Sequence, residues 1–90
     1  MNIEVEQDIE RFMSNFKEFA VWNPKQQKHI LEFEDILRKG TWKLMMTNGQ
    51  WSLRGSGKRY IDLHEDYLSR RDIERFLWDH RVELSYALQH

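Results

Sequence analysis

The chain has 90 residues, no cysteine, and 14 basic against 15 acidic side chains, for a net charge of −1. This length predicts a single domain spanning residues 1–90, and the absence of cysteine excludes disulfides and thiolate metal sites. The acidic N-terminus lacks the apolar segment of a signal peptide, and no apolar run is long enough to span a membrane. We therefore expect a cytoplasmic protein that makes no membrane contact.

Residues 5–20 have the apolar spacing of an amphipathic helix. Placed about 100° apart, the apolar side chains fall within one arc. They are Val5, Ile9, Phe12, Met13, Phe16, Phe19 and Ala20. Acidic residues near the start and Lys17 near the end suit the helix dipole, so we predict one helix from Val5 to Ala20.

A second helix is predicted after Asn23. Asn23 is a candidate N-cap, Pro24 suits the first helical position, and Gln26 stands where a capping box places Glu or Gln. Gly40 would end this helix in a left-handed conformation. Its apolar stripe would consist of Ile30, Phe33, Ile36 and Leu37. Because the link between the two helices is short, they are expected to form an antiparallel αα-hairpin.

Asn48-Gly49 predicts a β-hairpin and its register, because a two-residue type I′ turn requires positive φ at both central positions. The expected pairs are Thr47 with Gln50, Met46 with Trp51, Met45 with Ser52, Leu44 with Leu53, and Lys43 with Arg54. Side chains alternate between the faces of a strand. The predicted core face holds Trp42, Leu44, Met46, Trp51 and Leu53. The opposite, basic face holds Lys43, Met45, Thr47, Gln50, Ser52 and Arg54.

The remaining elements follow from turn and capping signals. Gly55-Ser56-Gly57 predicts a second turn, and alternation over residues 59–64 predicts a short third strand. Ser69 and Asp72 resemble a capping box, which would start a helix that runs to about Leu88. The predicted fold is α+β in the order ααβββα: an N-terminal αα-hairpin, an antiparallel three-stranded β-meander and a long C-terminal helix.

The C-terminal helix would carry two apolar faces. The main face holds Ile73, Phe76, Leu77, His80, Leu84, Ala87 and Leu88. Trp78, Val82 and Tyr86 recur every fourth residue on nearly the opposite side. They would either cover neighbouring loops or bind a partner, with Trp78 at the centre of the interface. We rank first a non-enzymatic protein-interaction module, such as an inhibitor, an adaptor or a regulatory homodimer.

A basic segment supports an alternative function. Residues 36–61 hold six basic and no acidic side chains. The six are Arg38, Lys39, Lys43, Arg54, Lys58 and Arg59. Lys43 and Arg54 would face each other across the hairpin, and the following loop adds Lys58, Arg59 and Tyr60, a set that suits the phosphates of a nucleic acid. A solubilising turn accounts for the same residues.

A third hypothesis is a small metal-free nuclease that uses Lys58, Arg59, Tyr60 and His64 for acid–base chemistry and phosphate stabilisation. No motif requires it, and no catalytic residue, cofactor or metal is predicted. The segment GSGK lacks P-loop spacing, and His64-Glu65 does not continue as HExxH. His80, within the main apolar face of the last helix, is expected to bond to the backbone or to a carboxylate.

Overall fold

The structure, a computed structural model, describes residues 1–35, 40–57 and 66–89. Its elements in chain order are α1 (Glu6–Ser14), α2 (Phe16–Phe19), β1 (Val21–Asn23), β2 (Lys28–Asp35), β3 (Gly40–Thr47), β4 (Gln50–Gly57), β5 (Asp66–Leu68), α3 (Arg70–Asp79) and α4 (Arg81–Gln89). The predicted α+β class is confirmed. None of the described helices is long and apolar enough to cross a membrane.

The sheet has more strands than the three predicted. Four strands, β1 to β4, form an antiparallel meander, and the three-residue β5 pairs with β4 to make five. The two additional strands at the start, β1 and β2, arise from the segments predicted as a link and a second helix. β4 continues through Gly57, where a turn was predicted. The strand predicted over residues 59–64 lies outside the described residues.

The β3–β4 hairpin has the predicted register. Thr47 pairs with Gln50, and the pairing continues without a slip to Lys43 with Arg54 and beyond. Asn48 and Gly49 have φ of 48° and 77°, as a type I′ turn requires. On the predicted core face, Met46 is half-buried. The other members of that face, Trp42, Leu44, Trp51 and Leu53, are buried.

The opposite face of the hairpin, predicted to be basic, includes two buried residues. Met45 is 3% exposed and Ser52 is 2% exposed. Because β2 lies on the other side of β3, Met45 has cross-strand neighbours on both sides, Ile30 and Ser52. A central position in a sheet is covered by its neighbours in a way that an isolated hairpin position is not.

The prediction of a second helix is wrong, and the capping signal at Asn23 belongs to a turn. The Asn23 side-chain oxygen accepts bonds from the backbone N–H groups of Lys25 (3.0 Å) and Gln26 (3.1 Å). Gln27 then takes a positive φ of 54°, and the chain returns as β2. Asn favours both helix starts and side-chain-closed turns, so the local signal does not separate the two. The residues predicted to end that helix, 36–39, lie outside the described residues.

Pairing with β3 explains why the segment of β2 forms a strand instead of the predicted helix. Phe33 lies opposite Trp42, and Leu31 lies opposite Leu44, so alternate residues of β2 join the core face of the sheet. Phe33 is 2% exposed. The apolar residues of this segment fit both a helical and a strand period, and the strand also supplies β3 with backbone partners along its length.

The first predicted helix is broken at Asn15. The Asn15 side chain donates to the carbonyl of Arg11 at 2.9 Å, which ends α1 before the short α2 begins. Asp8 closes the other end by accepting from the N–H groups of Glu4 (2.9 Å) and Val5 (3.1 Å). Most of the predicted apolar face is confirmed, since Ile9, Phe12, Met13 and Phe16 are buried, whereas Val5 is exposed.

All four helices contribute to one core on the face of the sheet that carries Trp42 and Trp51. The ring of Phe16 lies 4.9 Å from that of Trp51 at a steep angle. From α3, the ring of Phe76 lies 4.8 Å from that of Trp42. Leu84 of α4 is fully buried in the same cluster. The helices therefore form one layer on the sheet, and their outer sides face away from it.

Candidate interaction surfaces

The C-terminal segment forms two helices instead of one long helix. Ser69 caps α3 as predicted, because its hydroxyl accepts from the Asp72 N–H at 3.2 Å. α3 ends at Asp79, and the next residue, His80, has φ −110° and ψ 25°. The His80 Nδ1 donates to the Phe76 carbonyl at 3.0 Å, which confirms the predicted backbone bond. α4 then starts at Arg81, so Trp78 belongs to a different helix from Val82 and Tyr86.

Trp78 contributes to packing and to a groove between α1 and α3. The side chain is half-buried against the core cluster. The Arg81 guanidinium lies 4.3 Å from the centre of its ring, and Arg81 also donates to the Trp78 carbonyl at 2.9 Å. The groove beside it has a volume of about 530 Å³, with walls that carry acidic Glu6 and Glu10 and basic Arg75. Trp78 is therefore less accessible than the sequence prediction required.

Val82 and Tyr86 lie on the outer side of α4. Their exposed fractions are 69% and 60%. On the inner side, Leu84 is fully buried, and the hydroxyl of Ser85 accepts from the Ile3 N–H at 2.8 Å. The core and the N-terminal segment thus hold α4 by two of its sides. The outer face, defined here as Val82 and Tyr86, is largely exposed.

The basic hairpin face carries an acidic residue that the sequence assigned to a helix. Glu32 of β2 pairs with Lys43 of β3, which pairs with Arg54 of β4. The Lys43 Nζ lies 3.6 Å from the Glu32 carboxylate, with both side chains about half exposed. This cross-strand row has a formal charge of +1 instead of +2. Lys58, Arg59, Tyr60 and His64 lie outside the described residues.

Sequence reasoning missed one exposed apolar site, at the edge strand β1. Val21 is 74% exposed and Trp22 is 51% exposed. The Trp22 indole lies against His29 of β2, with ring centres 4.9 Å apart. The signal was the Asn23-Pro24 turn, which marks the end of a strand here and was interpreted as the start of a helix.

Comparisons of the chain with protein-family models, with curated proteins and with solved structures found no match.

Proposed function

We propose that the protein is a non-enzymatic interaction module that binds another protein through the outer face of α4. One observation carries this proposal: Val82 and Tyr86 are largely exposed on successive turns of a helix whose other side is fully buried at Leu84. A surface helix needs one apolar face to join its own core. A second face that holds a β-branched and an aromatic residue has the composition of an interface, where Tyr is enriched.

The spacing of the two residues suggests the type of partner. Residues four apart on a helix lie about 6 Å apart along its axis and point in nearly the same direction. Such a pair fits the helix-in-groove mode, in which an amphipathic helix places i and i+4 anchors into an apolar groove. The proposed partner is therefore a protein that supplies an apolar groove.

A distinct partner is favoured over a second copy of the chain. A stable interface buries about 800 Å² on each side, and α4 has only nine residues, so two such faces packed on each other form a small contact. A partner that covers the outer face of α4 and extends past it gains additional area from neighbouring surface, such as the α1–α3 groove beside Trp78.

Nucleic-acid binding through Lys43, Arg54, Lys58, Arg59 and Tyr60 stays a prediction. The ion pair of Glu32 with Lys43 lowers the local positive potential on which it depends, and no observation within the described ranges favours it. The nuclease hypothesis depends on residues outside those ranges.

The proposal can be tested by site-specific photo-crosslinking in cells that express the protein. A photoreactive phenylalanine analogue at position 86 should give a discrete crosslinked species, because Tyr86 would lie inside the interface. The same analogue at position 5, where Val5 is exposed but belongs to α1, should not give that species.

Val82→Glu tests whether the crosslink depends on the apolar face. This substitution should abolish the species formed from position 86, since it places a charge in the interface. Val5→Glu, which makes the same chemical change on another exposed valine, should leave it intact. A crosslink that survives Val82→Glu, or no discrete crosslink from position 86, would show that α4 is not the binding surface. A crosslinked species of twice the protein's own mass would instead identify a homodimer.

A further inference from the structure

Three potential metal ligands converge where the end of β2 meets the break between α3 and α4. They are Asp35, His80 and Glu83, and their nearest ligand atoms all lie within 4.8 Å of one another. Asp35 is the last residue of β2, His80 joins the two helices, and Glu83 lies in the first turn of α4. No sequence motif linked them, because Asp35 was assigned to a helix and His80 to the interior of another.

The hydrogen bonding of His80 determines which ring nitrogen faces the cluster. Nδ1 lies 3.0 Å from the Phe76 carbonyl, which can only accept, so Nδ1 carries a proton. In the neutral ring, Nε2 therefore bears a lone pair. Nε2 faces the Asp35 carboxylate at 3.8 Å, and an ionised carboxylate also only accepts. A metal ion bound by the Nε2 lone pair would also lie next to this carboxylate.

The surroundings hold both groups in place. The His80 ring stacks on Phe76, with centres 4.2 Å apart, and meets the edge of Trp42 at 5.6 Å. The Trp42 Nε1 donates to the same Asp35 oxygen at 3.4 Å. Metal-binding His residues commonly donate their other N–H to a backbone carbonyl, and metal-binding carboxylates are themselves hydrogen-bonded. Both features are present here before any ion is considered.

The distances and accessibility suit a transition metal. Zinc bonds of about 2.0–2.2 Å to nitrogen and oxygen in a tetrahedron place two ligands about 3.3 Å apart, so the 3.8 Å between His80 and Asp35 requires a contraction of about 0.5 Å. The Glu83 side chain is long enough to approach from the helix. The His80 side chain is 22% exposed, which leaves the cluster open to solvent on one side.

We infer that Asp35, His80 and Glu83 form a binding site for a divalent first-row transition metal, with Zn²⁺ as the best match. One imidazole and two carboxylates suit Zn²⁺, Mn²⁺, Fe²⁺ or Co²⁺ better than Ca²⁺ or Mg²⁺, which prefer oxygen ligands alone. Two carboxylates also neutralise the charge of the ion. The bound ion would link the sheet to the α3–α4 break. This inference is independent of the proposed function of α4.

Calorimetric titration of the full chain with Zn²⁺ tests the site. The chain should bind one Zn²⁺, and Glu83→Gln should weaken binding at least tenfold, because it removes a charged ligand from a half-buried, non-core position. Glu74→Gln is the matched control: Glu74 also lies on a C-terminal helix, but it pairs with Arg70 at 3.1 Å outside the cluster. It should bind Zn²⁺ like the unmodified chain.

Nitrogen NMR of the histidine rings supplies a second readout on the unmodified chain. Zn²⁺ should shift the Nε2 resonance of His80 and leave its Nδ1 resonance nearly unchanged. Absence of Zn²⁺ binding, equal binding by Glu83→Gln and the unmodified chain, or a shift confined to other histidines would each overturn the assignment.

Discussion

The sheet contains two hairpins that are closed in different ways. In β3–β4, Asn48 and Gly49 both have positive φ, so the backbone conformation makes the turn. In β1–β2, the Asn23 side chain accepts two backbone N–H groups, and Gln27 contributes one positive φ. The first turn is specific to a hairpin, whereas a side-chain bond of the second kind also starts helices.

The two hairpins also differ in what covers them. Trp51 of β4 is 6% exposed beneath α2, whereas Trp22 of β1 is half exposed at the edge of the sheet. β2 pairs with β3 along nearly its whole length but with β1 only at residues 28–30. β2 is therefore held mainly by β3, and that pairing places Glu32 beside Lys43 and brings Asp35 towards His80.

The largest expected effect is the loss of stability when one core residue of each hairpin is replaced by alanine. Trp51→Ala and Phe33→Ala should each lower the free energy of unfolding by about 3–5 kcal/mol, because both side chains are almost fully buried. Trp22→Ala, at the exposed edge, should cost less. Urea unfolding followed by circular dichroism measures all three. If Phe33→Ala cost no more than Trp22→Ala, β2 would not be part of the core.

A smaller effect is expected at Gly55, where the hairpin passes close to an indole. A Cβ at this position would lie 2.6 Å from the Trp42 Cζ3. Gly55→Ala should therefore destabilise the protein by about 1–3 kcal/mol through overpacking. The cost should fall in a Trp42→Phe background, since the ring is then smaller. An unchanged cost in that background would mean that the clash is not with Trp42.

The ion pair that joins the two hairpins should contribute still less. A double-mutant cycle with Glu32→Ala and Lys43→Ala should give a coupling of about 0.2–1 kcal/mol, typical of exposed cross-strand pairs, and added salt should reduce it. Lys43→Ala combined with Glu74→Ala should show no coupling, because Glu74 pairs with Arg70. Zero coupling between Glu32 and Lys43 at low salt would contradict the pairing of their side chains.

The smallest effect concerns the cap of α1, where, unlike at Asn23, the side chain accepts from backbone N–H groups that precede it. The N–H groups of Glu4 and then Val5 hold the pKa of the Asp8 carboxyl below its ordinary value. Its stabilising contribution is complete above the unfolded pKa of about 3.9 and is lost as the pH falls through the lower folded pKa. Asp8→Asn should therefore flatten the loss of stability in acid. An NMR titration that gave Asp8 an ordinary or raised pKa would contradict the cap.

The sequence predicted those parts of the fold whose signals are specific to one structure. The Asn48-Gly49 turn requires positive φ twice, which a helix does not provide, and the whole β3–β4 register followed from it. The N-cap predicted at Ser69 was also correct, because its hydroxyl accepts from the Asp72 N–H. Asn23 and Pro24 suit both a helix start and a turn, and long-range pairing with β3, which local reasoning does not include, decided between them.

The candidate sites also divide into those that local sequence signals predicted and those that depend on long-range contacts. The exposure of Val82 and Tyr86 follows from helical spacing, which is local. The break at His80 was not predicted, and the contacts of its ring with Phe76 and Trp42 involve a long-range neighbour that local reasoning does not include. The ion pair at Lys43 and the cluster at Asp35 were missed for one reason: both require β2 to be a strand.

The core, the charge of the hairpin face and the proposed metal site therefore all depend on β2 being a strand paired with β3. Proton NMR of the full chain tests it directly. Nuclear Overhauser contacts are expected between Leu31 and Leu44 and between Phe33 and Trp42, as antiparallel pairing requires. Contacts between residues three and four apart within Lys28–Asp35, with none to β3, would show a helix there and would contradict the account.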